Sequence, residues 1–421
     1  MTQNIRYFLV GGAVRDRLLG LPVKDRDWVV TGATPENMLA MGFMPVGKDF
    51  PVFLHPETRE EYALARTERK TAPGYHGFRF HAAPDVTLEQ DLLRRDLTIN
   101  ALAEDENGQV LDVSGGLLDL ERRLLRHASP AFVEDPVRIL RLARFAARLA
   151  PLGFQVAPET LVLMQAMVDA GEVDALVPER VWQELVRALS EPVPRRFIEV
   201  LRACGALKVL FPELDALFGV PQVARHHPEI DTGLHTLMVL EQAAALSNDP
   251  RIRFAALTHD LGKGTTPVAE WPRHHGHETR SAGLVEQLCQ RYRVPGDFRE
   301  LAVLVARHHL HIHRAGELTP RTLLKVMEQC DAFRRPERFH DLLLACQADA
   351  RGRAGREQSP YPQRDWFVSL QQACLAVDVR PIVAAGFRGE QIRRQLHEQR
   401  IHAIRHLRRE WLPPQVDSSP P

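Results

Sequence analysis

The chain carries no excess charge of either sign: Lys plus Arg and Asp plus Glu stand at 54 each, so its overall field points to no polyanionic partner. Any nucleic-acid site must therefore be a local patch. Cysteine is sparse. The five residues Cys204, Cys289, Cys330, Cys346 and Cys374 are an odd set with no CxxC pair, which argues against a disulfide framework and against a cysteine zinc site. Reduced, buried thiols are expected. No run approaches eighteen apolar residues, and the strand-like YFLV begins within six residues of the start, without the basic stretch and long apolar run of a secretory leader. A cytoplasmic location and no membrane partner are expected. There is no internal repeat and no long basic C-terminal tail.

What is present is enough for several cores. A length of 421 residues gives a prior of two to four domains, and 44% apolar with 26% charged residues is the balance of a soluble globular chain. From Tyr7 to about Asp112, short β-rich runs (YFLV, DWVV, YALA, VLDV) alternate with turn clusters, as in an α/β module. From about Glu121 apolar residues recur every three or four positions, as in RILRLARFAARL and ETLVLMQAMV, and no further strand is expected. Proline-containing breaks near Pro151, at Pro192 to Pro194 and between Phe211 and Pro228 punctuate these helices. The tail after Trp411, ending PPQVDSSPP, is expected to be disordered.

Chemistry enters first at YFLVGGAVRDRLLG, which reads as a strand, a Gly-Gly turn and a helix with Val14, Leu18 and Leu19 on one face. Such a turn offers free backbone N–H groups and the positive end of a helix dipole to a phosphate. Ten residues beyond Arg15, VKDRDWVV sets Asp25 and Asp27 at i and i+2 of an extended run, so that both carboxylates leave one face. Two adjacent carboxylates are costly unless they hold metal. Oxygen ligands suit Mg²⁺, and two-metal sites serve in-line attack of a hydroxyl on a nucleoside triphosphate. In RRDLTINALA, Arg95 beside Asp96 can neutralise triphosphate charge bidentately. In EDPVRILRLARFAAR, Arg138, Arg141 and Arg144 form a basic ridge next to the apolar ridge of Ile139, Leu142 and Phe145. A solvated helix face is the ordinary explanation of such a ridge. Asp135, one turn before Arg138, adds an acceptor beside a donor fork. Cytosine and adenine present an amine where guanine and uracil present a carbonyl, so an Asp–Arg pair can select C and A without a template.

The order GGAVRD, DRD, RRDLTINA, EDPVR at these spacings resembles the class II tRNA nucleotidyltransferase and poly(A) polymerase family over residues 7 to 148. VPERVWQELVRALS and VLRACGALKVLFPEL look like that family's helical neck and body. The resemblance implies a polymerase-β-like head in which Gly12 and Arg15 contact the nucleotide and Asp25 and Asp27 hold Mg²⁺. It also implies that Arg95, Asp135, Arg138, Arg141 and Arg144 bind triphosphate and base. RTERKTAPGYHGF, Arg66 to Phe78, is similar in position to the family's flexible loop that helps switch from C to A addition. A third active-site carboxylate has no clear counterpart, with Glu61 the candidate.

Nineteen histidines crowd toward the region from His226 to His313. His235, His259 and Asp260 interrupt apolar helical runs, where an unpaired ionisable side chain is expensive. A single core histidine is more often satisfied by backbone carbonyls, but the His259-Asp260 doublet before Gly262 and Lys263 suits a transition metal that can generate hydroxide near neutral pH. The pattern resembles the HD phosphohydrolase superfamily over about residues 232 to 350, with Asp349 as its last ligand and His277 and His309 as further ligands or phosphate contacts. Leu310 stands where many HD proteins place an Asp or His, which leaves open whether one ion or two are held. A CCA-type head joined to an HD domain is similar to the gammaproteobacterial, multifunctional type of CCA-adding enzyme. That resemblance implies tRNA, CTP and ATP as partners, and 2′,3′-cyclic phosphodiesterase, 2′-nucleotidase and phosphatase activities, with Ni²⁺ or another divalent transition metal as cofactor.

The expected fold class is α+β, a polymerase-β-like head followed by an all-helical neck and body and a helical HD domain. Expected boundaries are 1–145 for the head, 146–227 for neck and body, 228–350 for the HD domain, 351–412 for a helical C-terminal region and 413–421 for the tail. Three rivals stay open: a bacterial poly(A) polymerase, an enzyme adding only part of CCA, and an HD hydrolase using the head to bind RNA. The residues leave the oligomeric state open, monomer or homo-oligomer. Arg351, Arg353 and Arg356, and Arg405, Arg408 and Arg409, are candidate tRNA contacts or solvated helix faces.

Overall fold

A computed structural model describes residues 5–46, 52–70, 78–225 and 227–410. The chain forms two compact units, Met1–Leu210 and Phe211–Pro421. The centre of the expected switching loop, residues 71–77, and the tail from 411 onward lie outside the described residues.

The first unit is built on a seven-stranded mixed sheet. Its strands are β1 (Arg6–Val10), β2 (Asp27–Thr31), β3 (Met44–Val46), β4 (Val52–Leu54) and β5 (Glu61–Leu64), then, after a hairpin of β6 (Arg66–Lys70) and β7 (Phe78–Ala82), β8 (Leu102–Glu104) and β9 (Val110–Asp112). The order across the sheet is β3-β4-β5-β2-β1-β8-β9. β1 and β2 are antiparallel with Val10 opposite Asp27, and β2 and β5 are parallel with Asp27 beside Glu61. Alternation along β2 sends Val29 to a cluster with Phe8, Val10 and Leu92 on one face, and Val30 to another with Met38, Phe53 and Leu64. Each such buried side chain contributes on the order of 1.5–3 kcal/mol. The sheet is thus fixed from both faces, and its edge at Val10 and Asp27 stays in register.

Helices follow. Val137–Leu149 packs on Pro178–Leu189 and Arg195–Ala203, so the expected boundary at 145/146 falls inside a helix whose apolar stripe runs unbroken. Two two-residue strands, Leu124–Leu125 and Gln155–Val156, pair in parallel; they correct the expectation of no strand past Glu121, being too short to show periodicity.

Among the described residues the second unit is helical apart from one isolated bridge between Pro221 and Asp231. It begins at Phe211, earlier than the break expected at 227/228, because Glu213 pairs with Arg291 and Phe218 packs against Gly233. The helix Pro336–Arg351 likewise runs through the expected 350/351 boundary. Pro362–Ala384 is long and apolar enough to cross a membrane by length and composition, although Gln371, Gln372, Asp378 and Arg380 interrupt it and no run of eighteen apolar residues occurs there. The stretch is two helices, Pro362–Leu375 and Arg380–Ala384, and Trp366, Phe367, Leu370 and Cys374 of the first are buried in the unit's interior. All five cysteines are free and buried, as expected.

Candidate active sites

One cavity of about 590 Å³ in the first unit is lined by every head residue singled out from the sequence. Gly12 and Arg15 enter from the turn after β1, Asp25 and Asp27 from the start of β2, and Arg95 from the turn after the helix Leu88–Leu93. Asp135, Arg138, Arg141 and Arg144 enter from the start of Val137–Leu149. Ten basic side chains and six acidic ones share the lining, so the cavity is locally cationic in a chain of zero net charge and favours a polyphosphate.

The residue that demands glycine is Gly11. Its φ is +70°, and a Cβ there would lie 2.8 Å from Arg95 Nη1. The turn therefore brings backbone and arginine together at the cavity floor. Asp27 begins β2 while Asp25 lies in the irregular segment before it. Desolvation inside the cavity raises the Asp27 carboxyl above the ordinary range, Arg95 opposes this, and the like charge of Asp25 adds to it. A bound divalent cation relieves that repulsion, and the donor set is the oxygen-only kind Mg²⁺ takes. Glu61, laterally paired with Asp27, lines the same cavity.

The arginines are held by carboxylates that the sequence reading passed over. Thr87 and Gln90 form a capping box at the start of Leu88–Leu93. That helix carries Asp91, which is fully buried and bonds Arg94 at 2.7 Å and Arg95 at 3.2 Å. Arg95 Nε is buried with no hydrogen-bond partner, a donor that a phosphate oxygen would satisfy. Arg15 is 2% exposed, held by Asp16 at 2.7 Å and by Asn100, and stacked over Phe145. It braces the cavity wall. The expected ridge is present but is no solvated face: Arg141 meets Asp96 at 2.8 Å, Arg144 meets Glu184 at 2.7 Å, and Arg148 meets Asp16 at 2.7 Å. Burial would raise the Asp96 carboxyl, but Arg141 and Asn100 hold it well below the ordinary range. Asp135 and Arg138 both reach the cavity and are joined by a backbone hydrogen bond from Arg138 N to the Asp135 carbonyl at 3.0 Å rather than through their side chains. Asp135 is gripped by Arg180 at 2.8 and 3.2 Å, and Arg138 donates to the Ala131 carbonyl at 2.7 Å. Arg180, in the VPER run, was missed; nothing local marks a partner 45 residues away.

In the second unit the histidines converge. Asp231 caps the helix Thr232–Leu246 that carries His235, and His259 and Asp260 follow the helix Pro250–Thr258. Asp349 lies near the end of Pro336–Arg351. All four are buried. His235 and His259, with His277 and His309, share one device: each turns Nδ1 to a backbone carbonyl, those of Gly352 at 2.9 Å, Ala256 at 2.8 Å, His274 at 2.7 Å and Val305 or Ala306 at 3.1 Å. The proton is then on Nδ1, and each Nε2 presents a lone pair. His235 Nε2 faces Asp349 Oδ1 at 3.1 Å, and the Nε2 atoms of His277 and His309 face each other at 3.4 Å. Atoms so opposed are reconciled by a proton or by a metal cation between them. His259 Nε2 and Asp260 Oδ1 are buried without hydrogen-bond partners, which is what unfilled ligands look like. Two donor sets result, His235, His259 and Asp349 in one and Asp260, His277 and His309 in the other. Asp260 lies between them, Oδ2 at 3.1 Å from His259 and Oδ1 at 3.2 Å from His277.

The surroundings fit this electrostatics. Burial pushes His309 down to about 3, which keeps it neutral, and Asp260 and Asp349 stay ionised because nearby histidines, with Lys263 at Asp260, outweigh their burial. Lys263 Nζ lies 2.6 Å from Asp260 Oδ2. Gly262 is required by close approach, since a Cβ would lie 2.3 Å from the His277 carbonyl. Three further residues were missed. Glu229 Oε1 is 3.0 Å from His235 Nδ1, His313 Nε2 is 2.6 Å from Asp349 Oδ2, and His313 Nδ1 is 2.8 Å from the Tyr361 hydroxyl. Of the two basic clusters, Arg353 lies 3.9 Å from Asp349, Arg351 donates to the Ser359 carbonyl, and Arg356 and Arg405 are exposed.

A mixed-sheet head with paired carboxylates in an arginine-lined cavity, joined to a helical unit with a His/Asp metal cluster, defines a nucleotidyltransferase that is also a metal-dependent phosphohydrolase. The chain matches the poly A polymerase head domain over residues 7–126, the probable RNA and SrmB-binding site of polymerase A over 153–218, and the HD domain over 232–352. It is 65% identical to the multifunctional CCA protein of Thioalkalivibrio sulfidiphilus over 97% of this chain and 100% of that one, and 66% identical to that of Nitrosococcus oceani over 95% and 98%. The chain belongs to the multifunctional CCA protein family. Its fold is that of the Thermotoga maritima CCA-adding enzyme complexed with tRNA (TM-score 0.64, 20% identity, 95% of this chain and 87% of that one). The Bacillus stearothermophilus CCA-adding enzyme in complex with CTP is also similar (0.64, 22%, 96% and 90%).

Proposed function

We propose that the chain adds CCA to tRNA 3′ ends from CTP and ATP without a nucleic-acid template, repairs that end, and hydrolyses phosphate esters, including 2′,3′-cyclic phosphodiesters and 2′-nucleotides, at the HD site. The carrying observation is the division of labour between two sites: paired Asp25 and Asp27 in an arginine-rich cavity in one unit, and converging histidine and aspartate ligand atoms in the other. A tRNA-maturing enzyme of this kind works in the cytoplasm.

In the head, Asp25 and Asp27 hold Mg²⁺, with Glu61 as a third oxygen donor, and in the second unit His235, His259, Asp260 and Asp349 hold Ni²⁺ or another transition metal, with His277 and His309 completing a second position. Bound there, the ions supply Lewis acidity in the head and a nucleophile at neutral pH in the HD site. Arg95, Arg141 and Arg144 neutralise the triphosphate, while Arg15 and Gly11 shape the floor on which it lies beside Gly12. Asp135 accepts the exocyclic amine of cytosine or adenine, and Arg138 donates to the neighbouring ring acceptor. Arg180 holds Asp135 rigid, so the acceptor needs no template strand to orient it. UTP and GTP present a carbonyl to that carboxylate and are repelled. In the HD site, histidines held through Nδ1 turn their Nε2 atoms toward one another and the carboxylates, and Lys263 offsets the negative charge of Asp260. The head, the neck and body, the HD domain and the C-terminal helices serve as successive functional segments.

Incubation with tRNA lacking its CCA end and each nucleoside triphosphate, followed by sequencing of the products, tests this. Three added residues in the order C, C, A are expected. A long homopolymer of A would instead mark a poly(A) polymerase, and no extension would reduce the head to a binding module.

A further inference from the structure

We propose that Tyr361 and His313 form a hydrogen-bond chain that positions Asp349 for metal binding, so that the segment beyond the HD domain is part of the hydrolase site. The inference rests on the reading that His235, His259 and Asp349 hold a divalent ion. Asp349 is buried, and its two oxygens face different ways. Oδ1 belongs to the donor set with His235 and His259, while Oδ2 lies 2.6 Å from His313 Nε2. His313 ends the helix Gly296–His313, and its Nδ1 lies 2.8 Å from the Tyr361 hydroxyl. Tyr361 follows the region that matches the HD domain, residues 232–352, and immediately precedes the helix Pro362–Leu375.

The polarity of the chain is set at Asp349, whose carboxylate oxygen can only accept, so His313 Nε2, 2.6 Å away, donates to it. Tyr361 is buried, and its hydroxyl, 2.8 Å from His313 Nδ1, donates to the nitrogen left bare in that neutral ring. His313 Nδ1 is then the acceptor and Nε2 carries the hydrogen that is donated to Asp349 Oδ2. This tautomer is opposite to that of His235, His259, His277 and His309, whose Nδ1 atoms face carbonyls. His313 therefore offers no lone pair to the cluster and is a positioning residue rather than a ligand. With Oδ2 occupied, Asp349 binds through Oδ1 alone, which leaves coordination positions for water and substrate. Partners of this kind fix ligand orientation, and their loss weakens metal binding roughly 10- to 100-fold.

The test is titration of the metal-free full-length chain with Co²⁺, read by free-ion concentration and by the visible ligand-field bands, with CCA addition measured on the same preparations. His313→Ala is expected to weaken Co²⁺ binding about 10- to 100-fold and to shift the bands. His313→Gln, which retains a donor, recovers part of the loss. Tyr361→Phe, which removes one oxygen and no packing volume, weakens binding by up to about tenfold, and all three retain CCA addition. Unchanged affinity and bands in both Tyr361→Phe and His313→Ala overturn the proposal, and Tyr361→Phe alone decides if His313→Ala fails to fold. Asp349→Ala serves as the reference: Co²⁺ binding like wild type in that variant would remove the metal reading itself, whereas its loss with the other two variants silent would condemn only the chain of hydrogen bonds.

Discussion

The two sites keep their charges in opposite ways. In the head, cations and carboxylates are paired around an open cavity that Asp25 and Asp27 line. In the HD unit the ligand atoms are buried and face one another with lone pairs unmatched. An open, pre-paired vault suits a site that must admit two different nucleotides and a growing RNA end, because its arginines are already oriented and little reorganisation accompanies each addition. A buried, under-satisfied cluster suits a site whose selectivity lies in one ion, since each ligand is rigid and incomplete without it.

The largest effect expected is on the head. On the proposed reading Asp27→Ala removes a metal ligand at the reacting centre, and it should lower nucleotide incorporation by roughly three orders of magnitude or more while hydrolysis of 2′,3′-cyclic AMP is retained. Incorporation above a tenth of wild type would break the contrast at its first term. Metal removal sharpens it: after chelation, Mg²⁺ should restore addition, and Ni²⁺ should restore hydrolysis better than Mg²⁺ does, because imidazole nitrogen prefers the transition ion. Hydrolysis restored equally by Mg²⁺ would contradict a nitrogen-rich site.

Base choice is a smaller term. Asp135→Ala should relax discrimination against UTP and GTP by about 1–3 kcal/mol, read as the ratio of kcat/KM values for the four triphosphates. Selectivity equal to wild type would assign the reading elsewhere. The smallest effect is on acid stability. Asp91 and Asp96 have folded-state carboxyls held below the ordinary range, by Arg94 and Arg95 and by Arg141 respectively against the opposing effect of burial. Each contributes stability that is fully present above the unfolded value of about 4 and is lost as pH falls toward the lower folded value. The melting temperature should therefore drop as the pH falls below about 4, and Asp96→Asn should flatten that slope. An unchanged slope would show that the Arg141–Asp96 pair is not coupled to folding.

Much of this was legible in the chain because local spacing carries it. The Gly-Gly turn, the alternation that makes β2, and the three-residue spacing of Arg138, Arg141 and Arg144 are short-range patterns, and each ends in the one cavity. His259 and Asp260 announced themselves as polar residues in an apolar run. What was not legible is partnership at a distance. Arg180 lies 45 residues from Asp135 and Tyr361 lies 48 residues from His313, partners set by how helices pack, whereas Asp91 meets Arg94 and Arg95 at i,i+3 and i,i+4 spacing and was open to a local reading. The HD match at 232–352 lies close to the expected 228–350, while two expected breaks fall inside helices, Val137–Leu149 and Pro336–Arg351, whose apolar faces stay buried through them.

The central claim is that two chemistries occupy separate sites in separate compact units. Its most direct test is His259→Ala, with CCA addition and 2′,3′-cyclic AMP hydrolysis measured on one preparation whose thermal melt matches wild type. The account predicts hydrolysis lost and addition within about twofold of wild type, since the substitution removes one ligand of the HD metal and touches nothing in the arginine-lined cavity. Loss of both activities in that correctly folded variant would contradict it.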